Sequence, residues 1–341
     1  MLDSRSALAW LLVSLTLVAC DDATSATDAG EDGGAPEFAF SVMTFNTGTT
    51  LGLPHDGLPA DGYTTDHAIT SDTYYGNGLA WTPAVDAARW HLDRIEPDVV
   101  VFQEIFHSDE CESVPAEARA GFVCDGWRAG AMTVAQTVLG SAYQVVCNLG
   151  KPDKCAAVRR TFGTFRGCDD AICLDGLDGA RVPDCGGGSR IGRGVIELVG
   201  GGEITIVNVH GSSGIEAGDQ ACRTSQFEQV FVDLDGAPAA NGAVNVVMGD
   251  FNTDPVRLAS GDVSAARLVA LVEEGDFHFV TRADRTAPAT YGGLFNIDHV
   301  ISDGFEGSCV AAGVTEGHDP VIDAVYFDHV PILCELGGNR P

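Results

Sequence analysis

The apolar and polar positions between residues 38 and 341 predict short strands interspersed with amphipathic helices. Strands are predicted where apolar residues run together or alternate with polar ones. They cover residues 38–46, 98–104, 143–149, 155–162, 193–199, 203–211, 244–250, 296–302, 308–314 and 328–336. Helical spacing of apolar residues predicts helices at 83–95, 132–139, 226–234 and 265–274.

The order of these elements favours a mixed α/β domain. Strands alternate with helices early in the chain, which is typical of a parallel sheet. Hairpins interrupt this alternation at the GKPDK turn (150–154) and at the glycine-rich turn Gly200–Gly202. We therefore expect two mixed sheets with outer helices, in one domain over residues 38–341, because no second linker divides that stretch.

The N-terminal segment predicts export. Arg5 precedes an apolar run from Ala7 to Ala19, which is too short to span a bilayer. The run ends in LTLVAC and resembles a bacterial lipoprotein signal, so that residues 1–19 would be removed and Cys20 would carry lipid. The alternative is an ordinary secretory signal with an incidental cysteine. Residues 20–37 are acidic and lack large apolar side chains, which predicts a flexible tether.

The chain is strongly acidic, with a formal net charge of −30. This excludes a basic module that holds nucleic acid by bulk electrostatics. It leaves room for an enzyme that acts on nucleic acid through a small local cationic site. Composition, at 45% apolar and 20% charged residues, does not indicate a coiled coil, collagen or a membrane bundle.

Polar side chains recur where the predicted strands end or begin. In VVMGDFNTDP (246–255), an apolar strand gives way to Asp250 and Asn252. Taken alone, Asp250 would fit an Asx-turn or a helix cap. Similar residues flank the other strands: Asn46, Gln103, Glu104, His210, Asp298, Asp328 and His329. Ligands bind at the carboxyl ends of strands in open α/β sheets, and oxygen ligands of this kind suit Mg²⁺ or Mn²⁺, with Ca²⁺ a further candidate.

Six short motifs appear in order along the chain: FN at 45–46, QE at 103–104, NVH at 208–210, GDFN at 249–252, IDHV at 297–300 and DHVP at 328–331. Together they resemble the successive motifs of the endonuclease/exonuclease/phosphatase superfamily. The resemblance covers nearly all of residues 38–341, apart from much of a cysteine-rich insert at about 107–190. It implies a deoxyribonuclease-I-like four-layer α/β sandwich and a divalent-metal-dependent phosphoester hydrolase.

The resemblance also implies roles for individual residues. Metal binding is expected at Asn46, Glu104 and Asp328, and catalysis at His210, Asp250, Asn252, Asp298 and His329. Asp250 and Asn252 would orient or deprotonate the attacking water. His329 would face the scissile phosphate while Asp298 fixes its tautomer. His210 would be the second histidine facing the phosphate.

Several nearby residues have plainer interpretations. His299 follows Asp298 on a strand and therefore points to the opposite face, which indicates a structural role. Arg190 and Arg193 lie near a strand start before His210, and either could contact a phosphate, although a surface arginine is the default interpretation. Arg223 and Gln226 are expected to pack or to form hydrogen bonds on the helix after His210.

Ten cysteines remain when Cys20 is set aside, and an even number in an exported chain favours disulfides. The absence of C-x-x-C spacing argues against zinc. The expected pairs are Cys147 with Cys155 across a hairpin, Cys111 with Cys124 across a short loop, and Cys309 with Cys334 on the last two strands of the implied fold. The sequence leaves open the pairing of Cys168, Cys173, Cys185 and Cys222.

The substrate stays open between two phosphodiester classes. A nuclease acting on nucleic acid and a sphingomyelinase-type phospholipase C both fit, while the Trp-Cys-Asp-Arg stretch typical of inositol polyphosphate phosphatases is missing. The alternative from another class is a non-catalytic surface lipoprotein that binds a partner on the same fold. We expect an exported monomer that contacts a membrane only through the lipid on Cys20, either at the bacterial envelope or, if released, outside the cell.

Overall fold

The computed structural model describes residues 38–50, 55–57 and 60–341. The predicted signal segment, Cys20 and the tether therefore lie outside the described residues. The helices are α1 (Thr65–Tyr75), α2 (Thr82–Ile95), α3 (Val134–Leu139), α4 (Ala217–Phe231) and α5 (Val263–Glu274). The strands are β1 (Phe38–Asn46), β2 (Val99–Gln103), β3 (Tyr143–Asn148), β4 (Cys155–Arg159), β5 (Gly163–Phe165), β6 (Ile172–Leu177), β7 (Ile191–Leu198), β8 (Glu203–His210), β9 (Asn245–Asp250), β10 (His278–Phe279), β11 (Asp298–Ser302), β12 (Glu306–Ala311) and β13 (Ile332–Gly338).

The strands form two mixed sheets. Sheet 1 has seven strands in the order β12-β13-β1-β2-β4-β3-β6, and sheet 2 has six in the order β10-β11-β9-β8-β7-β5. Both combine parallel and antiparallel pairs: β1 runs parallel to β2 and antiparallel to β13, while β9 runs parallel to β8 and antiparallel to β11. The mixed sheets expected from the sequence are confirmed.

Three apolar cores separate four layers. The core between the sheets contains Val42 and Val101 from sheet 1 and Ile206 and Met248 from sheet 2. A second core packs α1, α2 and α3 on the outer face of sheet 1, and a third packs α4 and α5 on the outer face of sheet 2. Burial on both faces explains why the central strands read as continuous apolar runs. No helix within the described residues is both long and apolar enough to cross a membrane.

The structure corrects several predicted elements. Helix α1 was missed because its apolar periodicity is weak, although Thr64 and His67 cap its first turn reciprocally. Helix α4 begins at Ala217 rather than at residue 226, because its first turns are small and polar. Strand β13 begins at Ile332 and not at residue 328, so Asp328 and His329 lie in the loop before it.

The ten cysteines of the described region form five disulfides. They include the three expected pairs, with Cα–Cα separations of 5.3 Å for Cys111–Cys124 and 4.0 Å for both Cys147–Cys155 and Cys309–Cys334. Those two closer pairs are direct cross-strand neighbours. The pairs left open by the sequence are Cys168–Cys173 and Cys185–Cys222.

A buried arginine fixes the loops that follow two site strands. Arg223 on α4 is 1% exposed and donates to the carbonyl oxygens of Ser212 and Gly214, just after β8. Its Nη2 donates to Asp262 at 2.9 Å, and Asp262 also accepts from Thr253, just after β9. The side chain predicted to pack or hydrogen-bond thus ties the chain after β8 to the chain after β9.

Arg223→Ala should lower the free energy of unfolding by about 3–5 kcal/mol, because it leaves Asp262 buried without its guanidinium partner. Arg267→Ala is the matched control. Arg267 is partly exposed and pairs with Glu228 and Glu274, so its loss should cost about 0–1 kcal/mol. Urea unfolding followed by circular dichroism measures both values. Equal losses would contradict a stabilising role for the buried network.

Candidate active site

Strand register brings three of the expected catalytic residues side by side. His210 at the end of β8 pairs with Asp250 at the end of β9, and Asp250 pairs with Asp298 at the start of β11. All three are buried. Neighbouring strand ends at one edge of sheet 2 therefore present an imidazole and two carboxylates together.

Sheet 1 supplies the opposite side of the same cleft. Asn46 at the end of β1 donates from Nδ2 to Asp250 Oδ2 at 2.9 Å. Glu104, just after β2, lies with Oε1 3.3 Å from His210 Nε2. The ends of β1 and β2 thus meet the ends of β8 and β9, and the cleft lies where the two sheets adjoin.

Backbone conformation aims two of these side chains. Glu104 and Asn252 have φ angles of 58° and 53°, in the left-handed region that non-glycine residues seldom occupy. Asn252 follows the end of β9, and its Nδ2 donates to Asp250 Oδ2 at 2.7 Å. Asn252 lies beyond the end of β9, so the alternation of side chains along a strand does not explain why Asp250 and Asn252 face one point. The chain bends at Asn252, where the backbone N donates to Asp250 Oδ1 at 2.7 Å.

Gly249 explains the break in the apolar run of β9. Its φ angle is 148°, and a Cβ there would clash with the backbone of Val209 on the adjacent strand β8. Glycine lets β8 and β9 approach closely enough for His210 and Asp250 to align.

His329 forms an ion pair that orients its ring. Its Nδ1 lies 2.9 Å from Asp298 Oδ2, and its Nε2 lies 3.8 Å from Asp250 Oδ2. Burial alone would lower the pKa of His329, but the charges of Asp298 and Asp250 raise it to about 10. The ring is therefore an imidazolium at neutral pH. The aromatic ring of Tyr291 packs against it with 4.8 Å between centroids.

Three oxygen atoms surround the place where Gly48 lacks a side chain. A Cβ on Gly48 would lie 3.0 Å from Glu104 Oε2, 3.0 Å from Asp328 Oδ1 and 3.2 Å from Asn46 Oδ1. Asp328 Oδ1 is buried and has no hydrogen-bond partner among the described residues. Two carboxylates and a carboxamide around one small space form the kind of donor set that Mg²⁺ and Mn²⁺ prefer. We call Asn46, Glu104 and Asp328 the oxygen cradle, and their oxygen atoms fit a divalent cation.

A second group of possible ligands fits a metal less well. Asp250, Asp298 and His329 offer ligand atoms that lie within 4.8 Å of one another. However, His329 Nδ1 is hydrogen-bonded to Asp298, and Asp250 already accepts from Asn46 and Asn252. This group is a hydrogen-bonded network, whereas the oxygen cradle has a free acceptor.

The charge states of the acids differ from one another. Burial would raise the pKa of Glu104, but the hydrogen bond and charge of His210 lower it to about 2. Burial raises the pKa of Asp328 to about 6, and burial raises that of Asp250 to about 7 despite the opposing charge of His329. Burial lowers the pKa of His210. Glu104 is therefore ionised at neutral pH, while Asp250 can gain or lose a proton there.

The structure brings together every residue expected at the cleft. They are Asn46, Glu104, His210, Asp250, Asn252, Asp298, Asp328 and His329. His299 lies on the opposite face of β11, as expected, where it packs between Phe251 and Phe279. Four further residues at the site were not expected from the sequence: Gly48, Tyr291, Lys151 and Lys154. Only the lysines carried a signal, since the chain has no others.

Comparisons with known proteins support the fold. No family model matches the sequence, and no curated protein sequence matches it. Similar solved structures include the following three. An endonuclease/exonuclease/phosphatase family protein from Bacteroides thetaiotaomicron has a TM-score of 0.51 and 14% identity, with 88% of this chain and 95% of that chain covered. The human Nocturnin catalytic domain with bound sulfate has a TM-score of 0.52 and 12% identity, with 88% of this chain and 95% of that chain covered.

D. rerio TDP2 complexed with a single-strand DNA product has a TM-score of 0.51 and 14% identity, with 88% of this chain and 99% of that chain covered. At these identities the likeness shows a shared fold. The two mixed sheets with helices on both outer faces make this chain a deoxyribonuclease-I-like four-layer sandwich.

Gly48→Ala should weaken Mn²⁺ binding by about tenfold or more, because the added methyl group occupies the centre of the oxygen cradle and overpacking costs about 1–3 kcal/mol. Gly57→Ala is the matched control, since a Cβ there meets no neighbouring atom. Isothermal titration calorimetry with Mn²⁺ measures both affinities. Equal affinities in the two variants would contradict metal binding at the oxygen cradle.

Proposed function

We propose that this protein is a divalent-metal-dependent hydrolase of phosphodiesters. The observation that carries the proposal is the oxygen cradle lying beside a buried imidazolium–carboxylate pair in one cleft. Hydrolysis of a phosphodiester builds negative charge on the phosphoryl oxygens and on the leaving oxygen. A cleft that combines a cation site with a protonated histidine stabilises that charge.

Asn46, Glu104 and Asp328 would hold the cation. When bound, a divalent cation stabilises negative charge on phosphoryl oxygens as a Lewis acid. The ionised carboxylate of Glu104 supplies the negative charge that attracts it. Asn46 also donates to Asp250, so it joins the oxygen cradle to the group proposed as the base.

Asp250 is proposed as the group that takes a proton from the attacking water. A pKa near 7 matches a general base that works at neutral pH. Asn252 donates to Asp250 from both its backbone N and its Nδ2, which fixes the carboxylate plane. His329, held protonated by Asp298, would donate a hydrogen bond to a phosphoryl oxygen. His210 is proposed to contact the phosphate beside Glu104.

The expected cellular context belongs to this proposal. Five disulfides in the described region support an oxidising compartment, where such bonds persist. We propose an exported monomer whose residues 1–19 are removed and whose Cys20 is lipidated. D. rerio TDP2 was solved with a single-strand DNA product, which supports testing nucleic acid first. Sphingomyelin is the second substrate to test.

Hydrolysis of bis-p-nitrophenyl phosphate tests the function directly. Wild-type protein should turn this ester over with Mg²⁺ or Mn²⁺ and lose activity in EDTA. Glu104→Gln should reduce kcat/KM by about 10²–10⁴-fold, because the oxygen cradle loses its ionised carboxylate. Glu96→Gln is the matched control, since Glu96 also has a positive φ but is exposed and precedes β2, at the opposite end of that strand from Glu104.

Activity that survived EDTA undiminished would contradict the metal mechanism. No turnover by correctly oxidised protein with either metal would instead favour the non-catalytic lipoprotein that binds a partner.

Asp298→Asn should move the alkaline limb of the pH–rate profile to lower pH. The carboxylate of Asp298 is the main influence that raises the pKa of His329 to about 10. Without that carboxylate, the pKa of His329 should fall by about one unit or more, so the ring loses its proton at a lower pH. Initial rates with saturating Mg²⁺ between pH 6 and pH 10 measure the shift. Asp319→Asn, which alters an exposed ion pair with Arg94, is the control. An unchanged alkaline limb in Asp298→Asn would contradict the assigned role of His329.

A further inference from the structure

Both lysines of the chain lie beside the candidate active site. Lys151 and Lys154 are the only lysines among 19 basic residues, and the rest are arginines. Lys154 is 1% exposed, whereas Lys151 is 48% exposed. Both ammonium groups contact the carboxylate of Asp153, at 2.8 Å for Lys151 Nζ and closer for Lys154.

The hairpin that carries these lysines is held against the cleft. The disulfide Cys147–Cys155 closes its base. The carbonyl oxygen of Asp153 accepts a 2.9 Å hydrogen bond from the backbone N of Ile105, the residue after Glu104. The position of the lysines is therefore coupled to the segment that carries the strained Glu104.

A third cation reaches the same place from sheet 2. The carbonyl oxygen of Arg190 accepts from the backbone N of His210 at 2.9 Å. The side-chain Nη1 of Arg190 donates to the carbonyl oxygen of Gly211 at 3.2 Å. Its Nε is buried without a partner among the described residues. The adjacent loop packs on Lys151, since a Cβ on Gly188 would lie 2.7 Å from Lys151 Cβ.

Lys151, Asp153 and Arg190 line a cavity of about 280 Å³ that opens beside the catalytic cleft, and buried Lys154 lies behind Asp153. Its walls include Glu104, His210, Lys151, Asp153, Arg190 and Tyr75. Asp153 offsets only part of the charge of the two lysines and Arg190. Two further acids line the cavity: Glu104, which a bound cation would offset, and Glu110, which is exposed.

We propose that this cavity binds a second phosphate group of the substrate, distinct from the phosphate that is cleaved. The inference rests on the proposed hydrolase function and names its substrate class. Lys151 and Arg190 supply cationic donors at one side of Glu104 and His210, and such donors form charge-assisted hydrogen bonds with phosphate oxygens. Lys151, Lys154 and Arg190 face the three acids Asp153, Glu104 and Glu110. Once a bound cation offsets Glu104, the cations outnumber the acids here, in a chain whose net charge is −30, and this local balance favours binding of an anionic group.

The substrate that meets this requirement has phosphates in sequence, as a polynucleotide does. Sphingomyelin has one phosphate and a cationic choline group, which the lysines and Arg190 would repel. The cavity therefore favours nucleic acid over a choline phospholipid as the substrate.

Two chromogenic esters that differ by one phosphate test the proposal. They are thymidine 5′-(p-nitrophenyl phosphate) and its 3′-phosphorylated counterpart, and each has one scissile phosphodiester. Wild-type protein with Mg²⁺ should show a kcat/KM about tenfold higher for the 3′-phosphorylated ester, as expected for one charge-assisted hydrogen bond. Lys151→Gln should reduce that ratio to near one.

Arg160→Gln is the matched control, because it removes the same charge from an exposed position at the far end of β4. It should keep the wild-type ratio. A ratio near one in wild-type protein would overturn the second-phosphate site while leaving the hydrolase proposal intact. Hydrolysis of neither ester would contradict the hydrolase proposal itself.

Lysine labelling supplies a readout that does not need turnover. Lys151 is the only exposed lysine, so acetylation by an N-hydroxysuccinimide ester can be followed there by peptide mass spectrometry. Thymidine 3′,5′-bisphosphate with Mg²⁺ should slow acetylation of Lys151 by about tenfold, and thymidine should not. Acetylation that is equally fast with and without the bisphosphate would overturn the proposal.

Discussion

The two sheets are joined at one edge by hydrogen bonds between buried polar side chains, and the cleft depends on this connection. Gln103 Nε2 donates to Asn208 Oδ1 at 2.7 Å, and Asn46 Nδ2 donates to Asp250 Oδ2 at 2.9 Å. The apolar core between the sheets gives cohesion but little direction. Buried amides must be paired, so these two bonds select one relative position of the sheets. That position places Glu104 beside His210.

The acids gathered at this edge make a cation part of the arrangement. Asp250, Asp298, Glu104 and Asp328 share one cleft. Burial raises the pKa of Asp250 and of Asp328 there, whereas His210 keeps the pKa of Glu104 low. His329 offsets the first two acids, which is why its own pKa rises to about 10. Among the described residues, no basic side chain forms an ion pair with Asp328, and burial raises its pKa to about 6. A divalent cation in the oxygen cradle would supply the positive charge that Asp328 lacks.

The sequence predicted the fold where apolar runs were dense and the site where polar residues followed them. Strands such as β2 and β9 are buried throughout, so their ends could be located within one or two residues. The left-handed backbone at Glu104 and Asn252 could not be predicted, because it follows from tertiary packing after the strands end. The start of α4 was missed for a related reason, since a buried Arg223 holds turns that carry no apolar periodicity.

Disulfides shape the walls of the cavity next to the cleft. Three of the segments that line it lie near Glu110, at Lys151 and Asp153, and at Arg190. Cys111–Cys124 begins at the first segment, Cys147–Cys155 encloses the second, and Cys185–Cys222 anchors the third to α4. Each bridge joins cysteines at or next to one of these segments, and a disulfide of this kind stabilises the folded state by about 2–4 kcal/mol. These bridges hold cationic side chains close to an acidic cleft. The geometry of the cavity therefore depends on oxidised cysteines more directly than the geometry of the two sheets does.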